Sequence, residues 1–273
     1  LAVREKSGLD LQELRTRFIY HPQGATLNDL HLQTPNTVLQ NYLAVAYPSL
    51  DSLKTQMQRM QINTNLRNSM VGLYDVLLFV PDLRKQEFFN KHRNEKMKLE
   101  AVLKGYLADL NINNFYVAGL HNTIIHINGK LGGLPDAQKI NYALNVQRIQ
   151  SSNADLTTLL PLSVRQQIQI PASFNLIGKV SGTVKDYNTN LVMTSTDGAA
   201  TLKGYVHMSP GKGREKYDLY VNTKQLNVGR ILRKDSLVGA ITTVITAKGQ
   251  SFDINTMNAM LQGDIYAATL MGY

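Results

Sequence analysis

The feature that most constrains this chain is apolar–polar alternation with a period of two, repeated along much of its length. In "INYALNVQRIQ" Ile140, Tyr142, Leu144 and Val146 share one parity, against Asn141, Asn145 and Gln147. "FNLIGKV" sets Phe174, Leu176 and Val180 on one side, and "ATLKGYVHM" does the same with Leu202 and Val206 against Thr201, Lys203 and His207. "KYDLYVNT" places Leu219 and Val221 opposite Asp218 and Asn222, and "GAITTVITAKG" separates Ile241 and Ile245 from Thr242 and Thr246. Successive side chains of an extended chain point to opposite faces, so these segments predict strands with one apolar face and one wet face. Short connections between them predict antiparallel pairing. The turn signals are Asn128-Gly129, Gly132 to Asp136, Asp197-Gly198 and Pro210 to Gly213.

Three stretches break the alternation: "GLYDVLLFVPDLRKQEFFNK", "SSNADLTTLLPLSVRQQ" and "LNVGRILRKDSLVG". Each has grouped aliphatics beside polar or charged residues, the pattern of one or two helical turns, with Asp75 and Asn153 or Asp155 as candidate N-caps. Leu78, Leu160 and Leu232 mark a loose repeat of roughly 75 residues, several strands followed by a helical crossing near 74–91, 153–168 and 228–236. The crossings are expected to return the chain to the other edge of its sheet. The chain is read as one continuous segment, 1–273. A single sheet cannot bury its own apolar face, so it must curl into a groove, close into a barrel or meet a second sheet.

Composition narrows the function classes. Hydrophobic residues are 43% of the chain, too many for a disordered one. No apolar run reaches the length of about 18 residues that a spanning helix needs. There is no cysteine, hence no disulfide and no thiolate metal site. The net charge of +9 is spread rather than concentrated, the pattern of a solvated basic face. His21, His31, His92, His121, His126 and His207 show no metal-ligand spacing, and no G-x-S-x-G anchors a serine nucleophile. "GKGR" at 211–214 lacks the Walker spacing and reads as a hairpin turn. The 13 Tyr and 7 Phe are scattered through the strands instead of forming a base-stacking platform, which argues against nucleic acid. The expectation is no enzyme, no cofactor and no metal.

Four stretches resemble the periplasmic part of TamB-type proteins of the AsmA-like superfamily, as found in Bacteroidetes-like bacteria. They are "EKSGLDLQELRTRFIYHPQGATLNDLHLQTPNTVL" (5–39), "YDVLLFVPDL" (74–83), "INGKLGGLPDAQKINYALNVQRIQSSNADLTTLLP" (127–161) and "LNVGRILRKDSLVGAITTVITAKGQSFDINTMNAMLQGDIYAATLMGY" (226–273). The resemblance implies a mainly β fold, an elongated antiparallel β-groove of the β-taco type with short helical crossing segments. It implies a periplasmic location with an inner-membrane anchor helix absent from this chain, which is read as an internal piece of a longer protein. It further implies phospholipid transport between the membranes, support of outer-membrane protein assembly, and an Omp85-type barrel engaged through regions outside this chain.

The alternation supplies a physical reason for such a role. A dry groove offers acyl chains a solvent like their own, at about 0.8 kcal/mol for each CH₂ kept from water. The expected lining is the aliphatic parity of the clearest strands: Ile140, Leu144, Val146, Phe174, Leu176, Val180, Leu202, Val206, Leu219, Val221, Ile241 and Ile245. The expected partners are phospholipid acyl chains and neighbouring segments of the same chain along the sheet edges. The alternative is a structural or adhesive β-rich repeat of the cell surface, in which these residues pack a closed sandwich core.

Overall fold

A computed structural model of the chain describes residues 3–4, 8, 10–51, 55–209, 213–253 and 255–270. Two short strands, β1 (Val3–Arg4) and β2 (Asp10–Leu11), pair with each other. The chain divides into two compact units, 1–140, which includes this pair, and 141–273. In the first unit the strands are β3 (Glu13–His21), β4 (Gly24–Gln33), β5 (Val38–Ala46), β6 (Gln61–Gly72), β7 (Lys96–Tyr106), β8 (Asp109–Gly119) and β9 (Thr123–Gly132). In the second they are β10 (Asn141–Ser151), β11 (Phe174–Thr183), β12 (Asp186–Ser195), β13 (Gly198–His207), β14 (Lys216–Asn227), β15 (Val238–Gln250) and β16 (Asn258–Leu270). Within each unit every strand pairs antiparallel with its neighbour in sequence. Among the described residues no pairing joins the first strand of a unit to its last, so both sheets are open. The extensive strand–strand contacts within a unit all join sheet neighbours.

The helical segments lie where the alternation breaks. Helix α1 (Leu73–Phe79), a 3₁₀ turn (Pro81–Lys85) and α2 (Glu87–Lys91) link β6 to β7. Helices α3 (Asn153–Leu156) and α4 (Leu162–Arg165) link β10 to β11, and α5 (Val228–Ile231) links β14 to β15. A helical link therefore follows every fourth strand, which is the loose repeat in three dimensions. The expected return to the far edge does not occur: each link joins neighbouring strands of a meander. The reason lies in the reach of the links. Links built of helices of one or two turns deliver the chain to the next position in the sheet.

These links are fastened to turns at the same end of the strands. Asp75 is buried inside α1, where its carboxylate accepts from Thr34 Oγ1 at 2.5 Å, so it anchors the β4–β5 turn instead of capping the helix. Gly72 occupies the N-cap position of α1. Ser152, not Asn153 or Asp155, caps α3, its Oγ accepting from the Asp155 backbone N–H at 3.3 Å. In the second unit Asn227 caps α5, while Arg230 Nη1 donates to Asp197 Oδ1 at 2.8 Å in the β12–β13 turn. Asn128-Gly129, expected as a turn, lies within β9, where Gly129 keeps the strand going at φ 134°. Asp197-Gly198 does make a turn; Pro210 to Lys212 lie outside the described residues.

Candidate functional site

Register decides which side chains share a face, because directly opposed residues of an antiparallel pair point the same way. In the second unit one lateral row runs Leu144, Val180, Thr189, Gly204, Leu219, Ala247 and Leu261. The next runs Val146, Gly178, Leu191, Leu202, Val221, Ile245 and Gly263. Leu176 pairs with Ile149 and Met193, Phe174 with Ser151, Val206 with Tyr187 and Tyr217, and Ile241 with Leu226, all on this same face. Eleven of the expected lining residues are thus brought together; the twelfth, Ile140, sits just before β10 and outside the registers, at the end of the first unit. No row contains a charged side chain. The opposite face carries Lys179, Lys203, Asp218, Lys248 and Asp264.

The face is shielded without being sealed. Val146 and Val206 are each only 4% exposed, while Leu144, Leu202, Leu219 and Ile245 keep intermediate exposure. Neighbouring side chains on one face screen each other, which accounts for partial burial on an open sheet. Glycines thin the face at chosen points. Gly178 (φ 136°) and Gly204 (φ 133°) stand where a Cβ would meet the Asn190 carbonyl oxygen at 2.1 Å and the Asp218 oxygen at 2.0 Å. Such positions bring neighbouring backbones close and bend the sheet.

The first unit carries an equivalent face that alternation did not reveal. One row runs Phe18, Leu27, Leu43, Thr64, Leu103, Ile112 and Gly129, and another Tyr20, Ala25, Val45, Ile62, Gly105, Leu110 and Leu131. Leu30, Leu66 and Ala101 are its buried centre, with Leu32, Leu39, Leu99 and Phe115 packed around them. The parity is hidden because bulges interrupt the strands between Asn28 and Leu30, Val38 and Asn41, Leu66 and Ser69, and Ile112 and Phe115. Asp29, Asn41 and Asn68 adopt positive φ at three of them (51°, 88° and 52°), a conformation that Asn and Asp tolerate best. The sequence signal is an Asn or Asp at which the apolar spacing switches from two to three, as in Leu27, Leu30, Leu32.

Three hydroxyls on these faces are turned to the backbone, while Thr189 Oγ1 on the second unit's face is buried with no hydrogen-bond partner among the described residues. Thr64 Oγ1 donates to the Ala101 carbonyl at 2.9 Å and accepts from Leu103 N–H at 3.1 Å. Thr223 Oγ1 does the same between Ile241 and Thr243, and Thr243 Oγ1 donates to the Asp264 carbonyl at 2.7 Å. Thr64, Thr223 and Thr243 thus satisfy their hydroxyls at irregular backbone positions, which keeps those points of the face dry in character. Tyr142 and Tyr187 flank Gly182, and burial, then the nearby Tyr187, pushes the Tyr142 phenol above its ordinary range.

The polar face holds one arrangement that the sequence reading passed over. Asp186 Oδ1 accepts from Tyr205 Oη at 2.5 Å and lies 2.6 Å from His207 Nδ1, whose Nε2 is 2.9 Å from Ser209 Oγ. Connectivity of this kind is that of a Ser–His–Asp relay. Asp186, however, is 47% exposed and shares one oxygen between two donors, so its carboxylate is solvated and not dedicated to the imidazole. The cluster laces β12 to β13. Those hydrogen bonds, first from Tyr205 and then from His207, hold the Asp186 carboxyl below the usual carboxylate range and push the Tyr205 phenol up.

No family model, curated protein or solved structure matches the chain. The functional reading therefore rests on the faces themselves.

Proposed function

We propose that the apolar faces shield phospholipid acyl chains, and that the chain is a groove segment of a TamB-type protein. Such a segment carries phospholipid between the inner and outer membranes across the periplasm, which also supports outer-membrane protein assembly. Attachment to the inner membrane and engagement of an Omp85-type barrel belong to other parts of the protein in this reading. The observation that carries it is a charge-free aliphatic face, seven strands wide in each unit, on a sheet that stays open. Exposing a sixteen-carbon acyl chain to water costs on the order of 12 kcal/mol at about 0.8 kcal/mol per CH₂. A continuous aliphatic surface removes most of that cost. Because apolar contact is non-directional, no position traps the lipid. The transport itself requires no reacting group, so the reading is of a conduit and not an enzyme.

The test is site-specific photocrosslinking in bacterial cells. A benzophenone side chain placed at Leu144, Leu202 or Leu103 should capture phospholipid, while the same group at Lys203 or Lys104, on the other face, should not. Equal capture from both faces, or none from either, contradicts the proposal.

A further inference from the structure

The helical link after β6 encloses a cavity of about 250 Å³ lined by Tyr74, Leu77, Arg84, Asn90 and Arg93. Its lining comes from four consecutive local elements: Tyr74 and Leu77 from α1, Arg84 from the 3₁₀ turn, Asn90 from α2, and Arg93 from the turn after it. No carboxylate lines it. Neither guanidinium has a carboxylate partner among the described residues. Arg93 instead lies over the Tyr74 ring, its Cζ 6.0 Å from the centroid, which limits its swing without neutralising it. Asn90 donates one amide hydrogen to the Arg84 carbonyl at 2.6 Å, which ties α2 to the 3₁₀ turn and leaves a second amide hydrogen for a ligand. The nearby Lys85 is occupied by Asp82 at 2.7 Å, so the two arginines are the available cations of this link's pocket. Leu77, itself buried, gives the cavity an aliphatic wall.

Two guanidinium forks with an amide and a phenol suit a tetrahedral oxyanion, whose several acceptor oxygens match planar, bidentate donors. The aliphatic wall suits an ester carbon beside that anion better than a free, fully hydrated one. At about 250 Å³ the space is below the roughly 300–1,000 Å³ of sites that enclose a drug-sized ligand. It fits a headgroup and not a whole lipid.

We propose that Arg84, Arg93, Asn90 and Tyr74 form a binding site for a phosphate ester. The lipid source of that phosphate rests on the groove reading; the phosphate chemistry does not. A site of this kind at the strand ends would hold the polar end of a phospholipid outside the dry face, and would favour anionic headgroups over neutral ones.

The experiment is calorimetric titration of the purified chain with four probes: inorganic phosphate, glycerol 3-phosphate, dihexanoyl phosphatidylglycerol and dihexanoylglycerol, which has no phosphate. Each is repeated on the Arg84→Gln/Arg93→Gln variant, with circular dichroism to establish that the fold is retained. The expected result is at least tenfold weaker binding of the phosphate-bearing probes by the variant and unchanged binding of dihexanoylglycerol. A lipid that binds the parent chain at least tenfold tighter than glycerol 3-phosphate identifies a headgroup site, and equal affinities identify a soluble phosphate ester; both support the site. A folded variant that binds the phosphate probes like the parent overturns the proposal, as does a parent chain that binds none of them. Failure of the groove reading has a separate signature, the absence of dihexanoylglycerol binding to the parent chain.

Discussion

Leu202 and Val206 lie on one strand and one face, yet an open sheet assigns them different penalties for a charge. Leu202 stands opposite Leu191 and Val221 on an open sheet and keeps intermediate exposure. Val206 is 4% exposed, opposite Tyr187 and Tyr217, and Tyr217 is itself stacked on Phe252 with ring centroids 4.9 Å apart. Complete burial of an aliphatic side chain is worth about 1.5–3 kcal/mol, so a half-shielded Leu202 contributes about 1 kcal/mol. The poor strand propensity of Asp adds up to about 1 kcal/mol. Because its carboxylate stays in water, Leu202→Asp should cost about 2 kcal/mol. Val206→Asp loses full burial and places an unpartnered carboxylate under aromatic rings, so about 4 kcal/mol or more is expected. Urea denaturation followed by far-ultraviolet circular dichroism measures both, provided the slopes of the transitions are unchanged. Equal costs, or a cost near 4 kcal/mol for Leu202→Asp, would mean that a second layer covers Leu202 and would refute the open-face argument.

Three further outcomes follow from particular contacts. Thr223→Val, nearly isosteric, should cost about 1–3 kcal/mol in the same urea assay, since it strands the Ile241 carbonyl and the Thr243 N–H beside a bulge; a neutral result would show that water replaces the hydroxyl. Gly178→Ala should cost more than about 1 kcal/mol, because φ is 136° and the new Cβ would meet the Asn190 oxygen at 2.1 Å; a stabilised variant would contradict the backbone geometry. For the Asp186–Tyr205 hydrogen bond the linkage has two signs. The folded carboxyl is lowered from 3.8, so its contribution is present above that value and lost as pH falls through the folded value; the folded phenol is raised from 10.0, so its contribution is present below that value and lost as pH rises through the folded one. Spectrophotometric titration near 295 nm should show a late-ionising tyrosine that returns to the ordinary range in Asp186→Asn, and no change on that substitution would exclude the bond.

How far the sequence revealed the structure depended on bulges. From β11 to β13 the pairings run without a register shift, so parity alone identified Leu176, Val180, Leu202 and Val206 as one face. In the first unit the same kind of face went unread, because Asp29 in β4 and Asn68 in β6 each let the chain skip a residue and reverse its parity. Leu30 and Leu66, the two leucines at the buried centre of that sheet's cluster, sit beside these skips. The helical links were legible as breaks in alternation, but their destination was not, since local pattern says nothing about which edge a strand joins. Asp75 was misread as a cap because its partner, Thr34, lies 41 residues away in sequence. The arginine pocket has no motif at all: four donors on successive short turns converge only once the link folds back on itself.

The most direct measurement is native mass spectrometry with lipid extraction on the chain purified from a bacterium, beside a variant carrying Leu144→Asp, Leu202→Asp and Ile245→Asp. These three half-shielded positions of the second unit's face allow charge to be added with the least loss of fold. The account predicts that phospholipid co-purifies with the parent chain and is reduced in the folded variant, the first unit's face remaining intact. A parent chain that is folded and free of lipid, or a folded variant that retains the parent's full lipid load, would contradict it.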